Sequence, residues 1–177
     1  MATLIVEDGT GRSDANAIVS LAFLKTYCSD RGKDISAYTD EQLNEAIIRA
    51  SRFLVDAFIY DGQKINRRLQ TMPFPRYAVT DREGWPVLPN EIPYEYQYAC
   101  CEVTLVEAAT PFAMSPVVTQ SDVIRTEAVG SIRVEYALLF TDPSDYRPVL
   151  AVVQDLLWPF LSSGGIPNTL SGVATRV

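Results

Sequence analysis

Between Asp61 and Arg82 five cations, Lys64, Arg67, Arg68, Arg76 and Arg82, surround two aromatics, Phe74 and Tyr77, with only Asp61 and Asp81 in opposition. Aromatic rings interleaved with cations suit base stacking and phosphate contact with a single-stranded nucleic acid. The same block also suits a protein contact surface, or a solvated loop whose aromatics and prolines plug the core. The chain of 177 residues carries 15 basic and 22 acidic side chains, a net charge of −7, so duplex DNA is repelled on average and the basic footprint is small. Residues 83–110 hold Glu83, Glu91, Glu95, Glu102 and Glu107 with no Lys or Arg. Adjacent blocks of opposite sign suit head-to-tail association, in which Lys64, Arg67, Arg68, Phe74, Arg76 and Tyr77 of one subunit meet the acidic face of the next.

Other chemistry is sparse. The stretch Asp8-Gly9-Thr10-Gly11-Arg12-Ser13 has backbone N–H groups that glycines can aim at an anion. It lacks the Gly-Lys-Ser/Thr ending and long spacing of a nucleotide-binding loop, so a structural turn is expected. Asp8, Asp14 and Asn16 do not fit the alternating acidic pattern of a calcium loop. Asp81 and Glu83 are the one carboxylate pair that suggests acid–base work, yet beside Arg82 and Gly84 they lack the burial or like charge that would shift one of them. Histidine is absent, which removes the commonest general base and transition-metal ligand. Cys28, Cys100 and Cys101 match neither a disulfide framework nor a CxxC metal knuckle and read as small buried hydrophobes. No catalytic residue, cofactor or metal is expected, and the protein is not expected to be an enzyme.

The elements that position these groups are mainly helical. The apolar run Leu4–Val6 is halted by Asp8-Gly9 and Gly11, and a helix is expected from Ser20 to Gly32. Thr39 and Gln42 have capping-box spacing ahead of a helix over 40–59, with Leu43, Ile47, Ala50, Leu54 and Phe58 on one face. Ile48, Val55 and Ile59 add a second stripe, while Glu45 with Arg49 and Arg52 with Asp56 are spaced to pair. A third helix is predicted from Pro93 to Thr110 with Tyr94, Tyr98, Cys101, Leu105 and Ala109 on one face, and a fourth from Arg147 to Leu157 before Pro159. Asp122–Ala128 and Ser131–Ala137 read as a hairpin, in which Ile132, Val134 and Tyr136 alternate with polar residues and supply a further contact surface. Residues 61–92, rich in Pro and Gly, read as a long ordered loop, and residues 162–177 as a flexible arm. The expected architecture is therefore mainly α: a four-helix bundle over 1–161 with an inserted β-hairpin about 122–137, a long ordered loop and an extended C-terminal arm. No apolar run reaches membrane-spanning length and residues 1–20 do not resemble a secretory signal, so no membrane association is expected.

The opening Leu4–Gly11 with Asp14-Ala15-Asn16 and Ser20, then Asp30-Arg31-Gly32, Ile48–Asp56, Pro73-Phe74-Pro75-Arg76, Thr80–Gly84, Ile92-Pro93 and Val129–Val134, occur in an order and spacing that carry a resemblance across about residues 3 to 160. The chain resembles the small tailed-phage neck proteins called head-tail connectors or adaptors, specifically the group labelled DnaT-like single-stranded-DNA-binding proteins. Phe74 stands where Trp is expected in many relatives, a change that keeps an aromatic. The resemblance implies a structural protein of the virion neck, made in the host cytoplasm. It implies a homo-oligomeric ring of twelve copies beneath the portal protein, extending the channel for genomic double-stranded DNA without sequence-specific binding and providing the platform for tail or tail-completion proteins. On this view Ile166, Pro167, Leu170, Val173 and Arg176 form an arm that docks on the portal. The alternative is a single-stranded-DNA-binding protein of a phage or prophage, with stacking on Phe74 or Tyr77.

Overall fold

The computed structural model describes residues 3–117, 126–129, 132–135, 147–148 and 150–162. Their order is α1 (Leu21–Asp30), α2 (Asp40–Ala57), β1 (Gln63–Lys64), β2 (Arg76–Tyr77), α3 (Tyr94–Ala109), β3 (Thr126–Val129), β4 (Ile132–Glu135) and α4 (Ala151–Leu157), with short 3₁₀ turns at Arg67–Leu69 and Trp158–Phe160. The described chain is mostly helical. α3 packs against both α2 and α4, while α1 lies more lightly on α2 and α3.

Local chemistry accounts for where the helices begin. The Ser20 hydroxyl accepts the N–H of Phe23, and Thr39 and Gln42 form the reciprocal capping box ahead of α2. α2 buries Leu43, Ala46, Ile47, Ala50, Ser51 and Leu54 as a single face. α3 starts one residue later than expected because Pro93 is the cap. Its buried face is Tyr96, Ala99, Cys100, Val103, Thr104 and Glu107, with Cys101 beside it. The stripe drawn from Tyr94 is therefore corrected: Tyr94 is exposed, and the inward register is set by the ring of Tyr96 packing on Phe74 and Tyr60. α4 begins at Ala151 and not at Arg147, with Leu150 in extended geometry as its cap.

The core closes around Phe74, which has 0% exposure. Its ring centroid lies 5.0 Å from Tyr96, 5.6 Å from Phe160 and 5.8 Å from Tyr60, and the Phe74–Pro75 peptide is cis. The 61–92 segment is ordered, as its composition suggests, and it contains the antiparallel pair β1/β2 with Gln63 opposite Tyr77 and Lys64 opposite Arg76. Gly62 permits that pair, because a Cβ there would lie 2.0 Å from the Tyr77 carbonyl oxygen and its φ of 69° suits glycine. β3 and β4 form the expected antiparallel hairpin, Val129 opposite Ile132 and Glu127 opposite Val134. Tyr136 and the arm residues Ile166, Pro167, Leu170, Val173 and Arg176 lie outside the described residues.

Candidate functional site

The basic block divides into cations that hold a frame and cations that the frame displays. Arg76 is buried and donates to four backbone carbonyls: Nε to Asp61 at 2.6 Å, Nη1 to Pro73 at 3.2 Å, and Nη2 to Tyr60 at 3.0 Å and Gly62 at 2.8 Å. The Lys64 ammonium donates to the carbonyls of Gln70 at 3.0 Å and Thr71 at 3.2 Å. Burial pulls the pKa of both groups below its usual value, and for Lys64 the neighbouring Arg76 charge adds to the effect. Buried Gln70 completes the frame, its amide donating to Met72 and Pro75 carbonyls at 2.9 and 3.0 Å. Arg76 and Phe74 are thus interior residues, and Lys64 is half-buried with its ammonium engaged.

On this frame the turn Arg67–Leu69 projects outward. Arg67 and Arg68 are exposed and make no ion pair among the described residues, Leu69 is 74% exposed, and Tyr77 on β2 is 52% exposed. Arg67 adopts φ 52°, a left-handed backbone that is uncommon for a side chain of this size and persists because the surrounding turn is held at both ends. Of the two aromatics in the block, Tyr77 alone offers a ring face to solvent. The arrangement can present two uncompensated guanidinium groups to phosphates and one phenol ring to a base.

The glycine-rich opening folds around an anion of its own. The buried Glu7 carboxylate accepts the N–H groups of Gly9 at 3.1 Å and Gly11 at 2.9 Å through Oε1, and that of Arg12 at 2.9 Å through Oε2. Those N–H groups are therefore committed within the chain. Asp14 receives Arg12 Nε at 2.9 Å, and Asn16 accepts the Ile5 N–H at 2.7 Å, so each lies in a local brace. Asn66 Nδ2 donates to the carbonyls of Thr10 and Gly11, both at 2.8 Å, and Thr71 Oγ1 to that of Ala15 at 2.8 Å; the opening is seated on the basic turn and buttresses it. Asp81 Oδ1 accepts the N–H groups of Glu83 and Trp85 at 2.9 and 2.8 Å, serving a turn.

Sequence patterning does not single out Trp85 and Trp158, although both are exposed and Arg82 lies against the second. Their signal was composition: they are the two tryptophans of the chain, each beside a proline. A cleft of about 440 Å³ beside α1 is lined by Lys25, Ser29, Lys33, Tyr38 and Leu43. Its lysines are paired, Lys25 with Asp40 at 2.6 Å and Lys33 with Glu102 at 2.6 Å. Among the described residues no cluster of His, Cys, Asp or Glu is arranged to hold a metal, and no helix is long and apolar enough to cross a membrane.

A helical chain presenting exposed arginines and rings on a braced turn is a candidate nucleic-acid-binding module. Residues 2–177 match the model of the family described as "Putative DnaT-like ssDNA binding protein", and the chain belongs to that family. No curated protein and no solved structure matches it. The family is described by single-stranded-DNA binding and not as a neck component, which corrects the head-tail connector expectation. The ring of twelve, the portal and tail partners and the passive passage of duplex DNA are withdrawn with it. The segments behind that expectation have local structural roles instead: Asp8–Gly11 wraps Glu7, Asp30-Arg31-Gly32 ends α1, Phe74 and Arg76 plug the core, and Thr80–Gly84 forms a turn. Such punctuation reports a fold, not an assembly.

Proposed function

We propose that this protein binds single-stranded DNA, with Arg67 and Arg68 contacting phosphates and Tyr77 stacking on a base at the turn joined to β1 and β2. The observation that carries the proposal is the family match over residues 2–177. The braced turn supports it, since a surface held in shape before binding loses less conformational entropy on complex formation. An overall charge of −7 sets the character of the complex: attraction is local to the turn, and binding falls steeply with salt as condensed counterions are released. We further propose that the protein acts by binding and not by catalysis; the engagement of Asp81 with backbone N–H groups supports this. As a finer architecture we propose a four-helix bundle with α3 as its central member, consistent with its packing on α2 and α4.

The test is anisotropy of a labelled single-stranded oligonucleotide over a salt series. Each phosphate contact to a single strand contributes about −0.7 to the slope of log K against log salt, so the double variant Arg67→Glu, Arg68→Glu is expected to bind more weakly and flatten the slope by about 1.4. An unchanged slope in a folded double variant would remove these arginines from the interface.

A further inference from the structure

We propose that Arg82, Trp85 and Trp158 form a base-stacking platform for an unpaired strand, separate from the arginine turn. This proposal rests on the single-stranded-DNA reading above. Trp85 sits at the tip of a tight turn that is ordered before any ligand arrives. Asp81 Oδ1 accepts the Glu83 and Trp85 N–H groups at 2.9 and 2.8 Å, the Asp81 N–H donates to the Trp85 carbonyl at 2.8 Å, and the Val87 N–H donates to the carbonyl of buried Val79 at 2.9 Å. The turn nevertheless leaves Trp85 69% exposed. From the same turn Arg82 reaches α4, where Nη2 donates to the Asp155 carbonyl at 2.6 Å and the guanidinium lies 5.8 Å from the Trp158 ring centroid. Trp158 is itself 53% exposed. Arg82 thus runs from the turn that carries one solvent-facing indole to the ring of the other.

The chemistry of this surface selects its occupant. Indole faces and a planar guanidinium are stacking partners for any nucleobase. The neighbouring acidic groups are Glu83, exposed, Asp81, turned into its own backbone, and Asp155 on α4. A patch with this charge does not draw phosphates, so its contribution comes from ring contact, which needs base faces that a duplex hides. The arginine turn and the tryptophan platform therefore differ in salt response: the first weakens as salt rises and the second does not.

The two indoles are the only tryptophans in the sequence, so emission excited at the red edge, where the tyrosines do not absorb, reports on these two residues alone. A thymidine oligonucleotide, titrated at elevated salt and followed in parallel by anisotropy, is expected to quench tryptophan emission along the same binding curve. Trp85→Ala, on an exposed turn, is expected to weaken binding about 5- to 150-fold, the loss of one stacked base, with the salt slope unchanged. Trp158→Ala is expected to act likewise, and circular dichroism would verify folding of both. Anisotropy showing binding while emission stays constant and Trp85→Ala is neutral would overturn the platform and leave the single-stranded-DNA reading standing. No oligonucleotide binding by either signal would overturn both. Emission that changes with protein concentration in the absence of DNA would assign the surface to a second copy of the chain and overturn the proposal.

Discussion

Glu7 shows how one carboxylate can substitute for a ligand. Its oxygens gather N–H groups from Gly9, Gly11 and Arg12, and Gly9 must be glycine, because its φ is 90° and a Cβ would lie 2.3 Å from the Asn90 carbonyl oxygen. Replacing Glu7 by Gln sets an amide donor against one of these N–H donors. The loss is expected to be about 1–3 kcal/mol of stability, measured as a lowered denaturation midpoint at unchanged slope. The turn itself was legible from Asp8-Gly9 and Gly11, whereas the identity of the anion inside it was not. Nothing local to Glu7 distinguishes a carboxylate folded inward from one facing water. Lys64 and Arg76 make the same point: as residue types they belong to a basic block, and only the carbonyls brought to them by the folded loop commit them within the chain.

Elements with caps and strong periodicity were read correctly because their determinants lie within a few residues of each other. The Thr39–Gln42 box starts α2 as its spacing indicates, with the Gln42 N–H 3.2 Å from Thr39 Oγ1 and the Thr39 N–H 2.8 Å from Gln42 Oε1. Thr39→Ala is expected to lower stability by about 1 kcal/mol, observable as a small downward shift in thermal midpoint with helix content retained. The buried face of α3 is not the one that the Tyr94–Tyr98 stripe marks, since Tyr94 and Tyr98 share one side of the helix, their rings 6.1 Å apart, while Tyr96 lies on another. Tyr96 enters the core, while Tyr98 packs at the surface with its ring 5.2 Å from Tyr27. Arg49 was expected to pair with Glu45 and does so at 3.8 Å, but its stronger partner is Glu107 on α3, Nε to Oε2 at 2.8 Å. That buried carboxylate also accepts the N–H groups of Phe112 and Met114, tying the end of α3 to α2. A helical wheel contains pairs within a helix and is silent on pairs between helices.

At the scale of the molecule, the core is an aromatic cluster closed by residues from α3, the loop and the end of α4, with the thiols nearby. Cys28, Cys100 and Cys101 are buried and reduced, and burial raises the pKa of each, Cys100 to about 11. At neutral pH they are protonated and shielded, so the native protein is expected to resist iodoacetamide and to take up three labels only in denaturant, as read by intact mass. Phe74→Ala is expected to remove about 3–5 kcal/mol and to make native labelling measurably faster, since opening becomes more frequent. Rapid labelling of the unmodified protein would contradict this packing. Composition and short-range pattern were enough to establish a mainly helical chain, the capped starts of α1 and α2, the β3/β4 hairpin and an ordered proline-rich loop, because propensity, capping and alternation act between near neighbours. Which cations are displayed and which are engaged, which tyrosine of α3 enters the core, and that Arg82 reaches Trp158 at the end of α4 were decided by contacts between residues far apart in the chain, where burial and hydrogen-bond satisfaction outweigh local preference.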